Sequence, residues 1–435
     1  MLVIWLVLAD LIGAFTANYR NKFINPIKCS KLPSNYPFSD TPTPVQALDI
    51  HEELKTRLID NGYNNLTLIQ EKSISRIIEN DFNNIFIHSE TGSGKTLCYA
   101  IPLVHLYLTR YHFCGNTNIQ TPVMLVIVPS RLLESQALNV FKKILQSNKE
   151  CELARNLGKS RVLPPIVIGT IDNISQIFRI FTDNFKVNPL EAVKIAVYDE
   201  VDFLVQQHSS KVLSDFIRNL PNAKSILCGA TINDAGKYSM MKNLNRCWKN
   251  IEWIKSDFAH KLPPTITLDF HETKHTLSSK VYKLLELCKE NEGPTMIFCQ
   301  SHATAAWLYD NLPLSNKYLL KDINLDELDS LDANRIIIST DHRGLDSHFA
   351  HIIHFDFPQD ILQLIHRSGR AGRAGNKGRV SFLVTERSID FYNQVKPSLD
   401  LGDKLDKFFS RKRSLTRKRK RDKIAADSDS LTNFT

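Results

Sequence analysis

The stretch His88-Ser89-Glu90-Thr91-Gly92-Ser93-Gly94-Lys95-Thr96 constrains the fold of this chain more than any other. Before it, Ile85-Phe86-Ile87 is β-branched and aromatic and reads as a short buried strand. After it, Leu97, Ala100, Ile101, Leu103, Val104 and Leu108 recur at helical spacing. A strand, a glycine loop and then Gly-Lys-Thr opening a helix make the setting of a phosphate-binding P-loop rather than an ordinary glycine turn. Gly92 and Gly94 let backbone N–H groups turn inward around a phosphate with no Cβ in the way. The helix N-terminus adds partial positive charge, Lys95 can reach β- and γ-phosphates, and the Thr96 hydroxyl suits Mg²⁺. Ser89, Glu90, Thr91 and Ser93 complete the cradle, with Ser89 standing where the general pattern has Gly.

A length of 435 residues gives room for two domains, and 43% hydrophobic with 23% charged residues is ordinary globular material. The formal charge of +9 suggests a polyanion-binding surface until it is located. Arg411 to Lys423 holds nine Lys/Arg against one Asp, so the body of the chain is nearly neutral and any nucleic-acid surface on it must be local. Cysteines 29, 98, 114, 151, 228, 247, 288 and 299 are scattered with no C-x-x-C pair, which argues against zinc and for a reducing compartment. Residues 1–17 are strongly apolar with Asp10 the single charge, too short and interrupted for a membrane span and without the basic start of a secretory signal. They read as a targeting segment heading an extension, 1–45, whose Pro26, Pro33, Pro37, Pro42 and Pro44 predict an irregular lead-in.

From Ile50, Leu54, Leu58 and Ile59 predict a helix ending at Gly62, and Ile74, Ile77 and Ile78 a second one. Taken alone, Gln70 reads as a surface residue of that helix. Strand-like runs then alternate with helical stretches at 123–128, 166–168, 195–198 and 225–228, each followed by polar residues. Such alternation predicts a parallel sheet wrapped by helices, with functional loops at the strand C-terminal ends. The series restarts after about Ser256, with strands near 265–270, 295–299, 335–339, 351–355 and 380–384 and helices near 278–290, 302–312 and 359–368. The expectation is an α/β chain of two tandem domains, 46–255 and 263–407, joined by a linker at 256–262 and followed by a basic, disordered tail at 408–435.

Two carboxylates, Asp199 and Glu200, end the buried strand 195–198. In isolation they read equally well as solubilising charge. Beside Lys95 and Thr96 they fit nucleotide hydrolysis, with Asp199 holding Mg²⁺ and Glu200 orienting or deprotonating the attacking water. The second domain contributes Ile365-His366-Arg367-Ser368-Gly369-Arg370-Ala371-Gly372-Arg373, in which Arg370 and Arg373 can face one site and stabilise charge on a transferring γ-phosphate.

Together, Gln70, Ser89–Thr96, Pro129-Ser130-Arg131, Gly169-Thr170, Asp199-Glu200-Val201-Asp202, Gly229-Ala230-Thr231, Ile297-Phe298-Cys299, Arg343-Gly344-Leu345-Asp346 and His366–Arg373 follow the order and approximate spacing of DEAD-box RNA helicases, and the chain resembles that family over residues 46–400. The resemblance implies two tandem RecA-like domains, ATP and Mg²⁺ as cofactors, and RNA-stimulated ATP hydrolysis that unwinds or remodels short duplexes. It implies that Gln70 bonds the adenine edge, that Asp346 lies near the ribose, and that His366 bridges the domains. Arg370 and Arg373 would be arginine fingers acting on domain closure. Pro129, Arg131, Gly169, Thr170, Thr340 and Arg343 would grip the sugar-phosphate backbone of single-stranded RNA, giving weak sequence preference and salt-sensitive affinity. The Gly-Ala-Thr variant, Val-Pro-Ser-Arg and Phe-Cys-x-Ser resemble most the animal mitochondrial branch linked to large-ribosomal-subunit assembly. That implies a mitochondrial address, with nucleus, nucleolus or cytoplasm as alternatives, and ribosomal or ribonucleoprotein assembly intermediates as partners of a monomer with no stable membrane insertion.

Departures from the family pattern are visible. Val201 replaces Ala, Gly229 replaces Ser, and Val45 stands where an aromatic stacks on adenine. No double-glycine element is evident between Arg131 and Gly169. Thr340-Asp341-His342-Arg343-Gly344 is shorter than the family's segment, and Ser315 to Asn334 lacks the His-Gly and the Arg-bearing helix. These shortenings favour a second reading, a catalytically weak RNA-binding clamp or assembly scaffold, whereas intact Lys95, Asp199, Glu200, Arg370 and Arg373 favour catalysis. A P-loop kinase or transporter ATPase leaves His366–Arg373 unexplained. The tail Arg411–Arg421 reads as an RNA-tethering arm, a nuclear-localisation patch or a solvated charge run with no role.

Overall fold

The computed structural model describes residues 27–28, 36–38, 41–111, 121–146, 149–158, 162–232, 239–290, 293–323, 331–340, 348–373 and 376–408. The apolar start and the basic tail lie outside these residues. A two-residue strand, β1 (Ile27–Lys28), comes first, then α1 (Glu52–Asp60) and α2 (Leu68–Ile78). The first sheet is built by β2 (Asn84–His88), α3 (Lys95–Leu106), β3 (Met124–Ile127), α4 (Arg131–Leu145), β4 (Cys151–Leu153) and β5 (Ile166–Gly169). It continues through α5 (Ile171–Phe185), β6 (Ile195–Tyr198), α6 (Val201–Gln207), α7 (Ser210–Arg218), β7 (Lys224–Gly229), α8 (Met240–Cys247) and β8 (Ile251–Lys255). Its strands run in the order β4-β5-β3-β6-β7-β2-β8, all parallel.

The second sheet is built by β9 (Ile266–Glu272), α9 (Leu277–Lys289), β10 (Thr295–Phe298), α10 (His302–Asn311) and β11 (Lys317–Leu319). Then come β12 (Ile336–Ser339), β13 (His351–His354), α11 (Ile361–Ser368), β14 (Gly378–Val384) and α12 (Ile389–Leu401). Its order is β1-β9-β14-β13-β10-β12-β11, parallel except for the β1–β9 pair. The molecule therefore has the fold class expected, two tandem parallel-sheet α/β units.

Runs such as Ile85-Phe86-Ile87, Leu125-Val126-Ile127 and Ile337-Ile338 are fully buried because helices cover both faces of each sheet. Each such side chain contributes about 1.5–3 kcal/mol of burial. Two apolar clusters sandwich the first sheet and two the second. Cys98, Cys151, Cys228 and Cys299 are buried in these cores, and burial lifts the Cys98 thiol to about 12. Among the described residues no helix is long and apolar enough to cross a membrane.

The lead-in differs from the irregular segment expected. Ile27 and Lys28 pair with Leu268 and Thr267, so chain preceding the first sheet closes the edge of the second. The short edge strands β4, β8 and β11 carry too few consecutive apolar residues to stand out in the sequence.

Candidate functional site

Strand β2 lies between β7 and β8 and ends beside β7, which neighbours β6. Three C-terminal strand ends thus meet: His88 before the glycine loop, Tyr198 before Asp199-Glu200, and Gly229 before Ala230-Thr231. That is the edge at which open α/β sheets bind ligands.

Gly92 (φ +80°) and Gly94 (φ +85°) are left-handed, a conformation that side chains resist, and a Cβ on Gly94 would overlap the Gln70 amide. Ser89 is fully buried, and its hydroxyl lies 2.7 Å from that of Ser93, which donates to the Glu90 carbonyl at 2.9 Å. The hydroxyl at the unusual first position thus staples the loop. Lys95 Nζ donates to the Ser89 and Glu90 carbonyls at 3.0 and 2.6 Å, so a cation stands inside the curl. Thr96 follows in the first turn of α3, half-buried.

Gln70 is 4% exposed rather than a surface residue. As the third residue of α2 it accepts from the Thr67 N–H at 2.9 Å and donates to the Gly94 carbonyl at 3.1 Å, while Thr67 Oγ1 donates to the Ser93 carbonyl at 2.9 Å. A helix cap and the loop are therefore one hydrogen-bonded unit.

Asp199 accepts from Tyr99 Oη and from the Glu200 N–H, both at 2.8 Å. Burial raises its pKa against these bonds and the nearby Lys95 charge. Glu200 is left-handed (φ +43°), a strained backbone that clusters at functional sites. Its Oε2 has no hydrogen-bond partner among the described residues. Burial raises its pKa too, opposed first by Arg370 and then by His366. Asp202 takes the opposite direction: burial pushes it up, but His366 and Thr231 outweigh that and hold it low.

The second sheet closes over this edge. His366, on α11 and 3% exposed, has Nε2 2.9 Å from Thr231 Oγ1 and 3.4 Å from Asp202 Oδ2. Thr231 Oγ1 donates to Asp202 Oδ2 at 2.6 Å, so its lone pair faces the imidazole. Gly369 meets Thr91, and the Arg373 side chain covers Gly92, where Cγ lies 3.0 Å from the position a Cβ would take. Arg370 and Arg373 are 3% and 9% exposed, so both guanidiniums are held inside the junction. Lys95, Asp199, Glu200, His366, Arg370 and Arg373 come from distant parts of the chain and are brought to one place.

A second region lies on the first unit. Ser130 and Thr170 cap α4 and α5, accepting from Leu133 and Asn173 N–H groups at 3.4 and 3.3 Å. Both helix N-termini open on a cavity of about 420 Å³ lined by Pro129, Ser130, Arg131, Thr170, Asp172, Asn173, Gln207 and His208. Paired helix N-termini favour phosphate. Gly169 is buried, and a Cβ there would stand 2.9 Å from both Ala154 Cβ and Ile174 Cγ1. Thr340 is half-buried and lines a separate cavity of about 560 Å³ with Phe203, Gln206, Gln300, Ser301, His302 and Arg367. Helix α6, which follows Glu200, contributes to both cavities. Arg343 and Asp346 lie outside the described residues.

Residues that sequence reasoning did not single out complete the arrangement. Glu134, fully buried, accepts from the Thr170 N–H at 2.9 Å and from Asn173 Nδ2 at 2.8 Å, fixing the two helix N-termini side by side. Its place in an amphipathic helix gave no signal of burial. Tyr36 donates to Glu90 Oε1 at 2.8 Å and packs edge-on against Phe258 at 5.1 Å, so an aromatic reaches the loop from a position other than 45. Val201 and Gly229, two separate departures in the sequence, face each other: a Cβ on Gly229 would stand 3.3 Å from Val201 Cγ1. The same Cβ would lie 3.7 Å from Asp202 Oδ1, which has no hydrogen-bond partner among the described residues.

Among the described residues no three His, Cys, Asp or Glu side chains gather to hold a metal ion. Mg²⁺ commonly takes one or two protein oxygens plus phosphates and water, so Thr96 and Asp199 suffice as a donor set.

Comparison with known proteins agrees with this geometry. Residues 67–237 match the DEAD/DEAH box helicase family model, and residues 278–375 match the helicase conserved C-terminal domain. The chain is 26% identical over 351 residues to the probable ATP-dependent RNA helicase DDX28 of Mus musculus, covering 68% of this chain and 62% of that protein. It is 27% identical over 378 residues to the ATP-dependent rRNA helicase rrp-3 of Neurospora crassa, covering 80% of this chain and 68% of that one. Its fold is similar to that of S. cerevisiae Dbp5 bound to RNA and ADP BeF3, with TM-score 0.68 at 22% identity, covering 83% of this chain and 94% of that one.

Proposed function

Because the chain belongs to the DEAD-box RNA helicase family, we propose that it hydrolyses ATP in an RNA-stimulated cycle that unwinds or remodels short RNA duplexes. The observation that carries this reading is the junction itself, where His366, Arg370 and Arg373 of one unit cover the Lys95 loop and the Asp199-Glu200 strand end of the other. ATP would take the loop between Gln70 and Thr96, with its phosphates on the N–H groups of Gly92 to Thr96 and on Lys95. Thr96 and Asp199 would hold Mg²⁺, which neutralises phosphate charge when bound. Glu200 would orient the attacking water and take its proton, which its buried and raised carboxyl suits. Arg370 and Arg373 would meet the charge developing on the γ-phosphate, and only when the units are together. His366, bonded to Thr231 and Asp202, would keep them together. Residues 46–255 and 263–407 would be the two moving domains.

RNA would lie across Pro129, Arg131, Gly169 and Thr170 on the first unit and Thr340 and Arg343 on the second. Its phosphates would sit at the two capped helix ends, a grip without base readout. The name of the Neurospora relative supports ribosomal RNA as the substrate class. The motif variants, together with the apolar start of the chain, support a mitochondrial address. Imaging tagged protein with and without residues 1–25 tests that address.

The decisive experiment is steady-state ATP hydrolysis with and without single-stranded RNA, for the native chain and Glu200→Gln. RNA should stimulate the native chain, and Glu200→Gln should fall about a hundredfold or more. Absent stimulation with an indifferent substitution leaves the RNA-binding clamp or scaffold instead.

A further inference from the structure

One buried cluster is not absorbed by the reading above. His260, in the segment that crosses from β8 to β9, has backbone φ +65°, a left-handed conformation uncommon outside glycine. It is 7% exposed, and its ring joins three parts of the molecule. Nε2 accepts from the Ile232 N–H at 3.0 Å and lies 3.0 Å from Nε2 of His88, the last residue of β2. An accepting Nε2 places the proton on Nδ1, which donates to Asp406 in a short contact. The His260 carbonyl also accepts from the Leu405 N–H at 3.1 Å. Both Leu405 and Asp406 follow α12, at the end of the second unit.

Ile232 follows Thr231, whose hydroxyl meets His366 and Asp202. The contacts form a continuous chain: Asp406, His260, the Ile232 N–H, Thr231, His366. One end is the C-terminal turn Asp406–Phe408 and the other is the residue that spans the junction. Burial holds the His260 pKa low against the pull of Asp406, so the Nε2 lone pair stays available to Ile232. Backbone strain retained at a buried polar residue, with both ring nitrogens engaged, marks a position fixed for more than packing.

We propose that His260 is a positioning residue that couples docking of the Leu405–Asp406 turn to the Thr231 loop, and so sets how readily the His366–Arg373 segment seats over the glycine loop. The proposal rests on the ATP-hydrolysis reading only for its kinetic consequence. Its structural content is that the Ile232 N–H is held from the C-terminal turn through one imidazole.

The test uses the full chain. His260→Gln keeps an acceptor where Nε2 stands and loses the partner of Asp406; His260→Asn keeps a donor near Nδ1 and loses the acceptor for Ile232. Asp406→Ala, at a half-exposed side chain, removes the acceptor for the Nδ1 proton without opening the core. Each should lower RNA-stimulated kcat about tenfold while KM for ATP and the RNA-free rate hold. Combining Asp406→Ala with His260→Gln should add nothing further, because both cut one chain of contacts. Hydrogen exchange read at the Ile232 amide should quicken in Asp406→Ala, whether or not the protein hydrolyses ATP. Unchanged exchange at Ile232 overturns the coupling; so do additive effects, or turnover lost equally with and without RNA. A native chain with no RNA-stimulated turnover overturns the ATPase reading alone, and the exchange result still decides this one.

Discussion

Replacing Gly369 by Ala separates a closing junction from two domains that merely lie side by side. A Cβ built on Gly369 overlaps the Thr91 hydroxyl outright, and stands 2.8 Å from Thr91 Cβ and 3.0 Å from the Ile365 carbonyl. Ordinary carbon contacts need about 3.5–4.0 Å, so the two segments must part by roughly an ångström or the side chains must leave their rotamers. Overpacking of this kind costs about 1–3 kcal/mol. The obstructing atoms belong to the glycine loop of the first unit, so most of that cost falls on the closed arrangement. At about 1.4 kcal/mol per tenfold, the closed population drops by about 5- to 150-fold. RNA-stimulated turnover should drop with it, while the melting temperature shifts by no more than about 2 °C. Steady-state ATP hydrolysis with saturating single-stranded RNA measures the first, and thermal melting the second. Native RNA-stimulated turnover in Gly369→Ala would refute the idea that Arg370 and Arg373 act by seating this segment on Thr91 and Gly92.

Other perturbations test other parts of the site. Glu134→Ala leaves the Thr170 N–H unsatisfied and should cost about 1–3 kcal/mol in a denaturant melt with weaker RNA binding; Glu134→Gln, which keeps an acceptor, should be far milder, and equal damage from both sinks the capping account. Gly229→Ser alone should destabilise by crowding Phe86 Cζ at 3.2 Å and Val201 Cγ1 at 3.3 Å. With Val201→Ala it gains room and gives Asp202 Oδ1 a donor, so a double-mutant cycle should show about 1 kcal/mol of favourable coupling, and strict additivity would contradict it. His351, buried with Nε2 2.7 Å from Ser381 Oγ, is pushed down to about 3 by burial, with Arg379 and His271 adding to the shift. An unfolded histidine titrates near 6.5, so this stabilisation is complete above that pH and lost as pH falls toward 3. Native chain should lose about 2 kcal/mol through this residue between pH 8 and pH 5, and a His351→Gln variant with the same slope in urea melts would refute the assignment.

Much of the junction was legible in the chain because local chemistry wrote it. Gly92, Gly94, Lys95 and Thr96 need only a preceding strand and a following helix, and Asp199-Glu200 need only a strand end. What was not legible depended on neighbours. Gln70 read as a surface residue because helical periodicity reports one face of α2, whereas Gly94 covers another. Glu134 looked like helix solubility, and only the approach of α5 makes it a buried acceptor. Val201 and Gly229 appeared as two unrelated departures, 28 positions apart in the sequence. Packing of α6 on the end of β7 makes them one contact.

The sequence by itself therefore determined the two parallel sheets, the phosphate loop and the pair of carboxylates, since strand–helix alternation and short motifs are set by residues adjacent in the chain. Only the tertiary structure decided that His366 meets Thr231, that Gly369 rests on Thr91, and that His260 links the C-terminal turn to the Ile232 N–H. Those contacts join residues more than a hundred positions apart or lie across a domain crossing. Their geometry follows from how the two sheets dock, which no local pattern encodes.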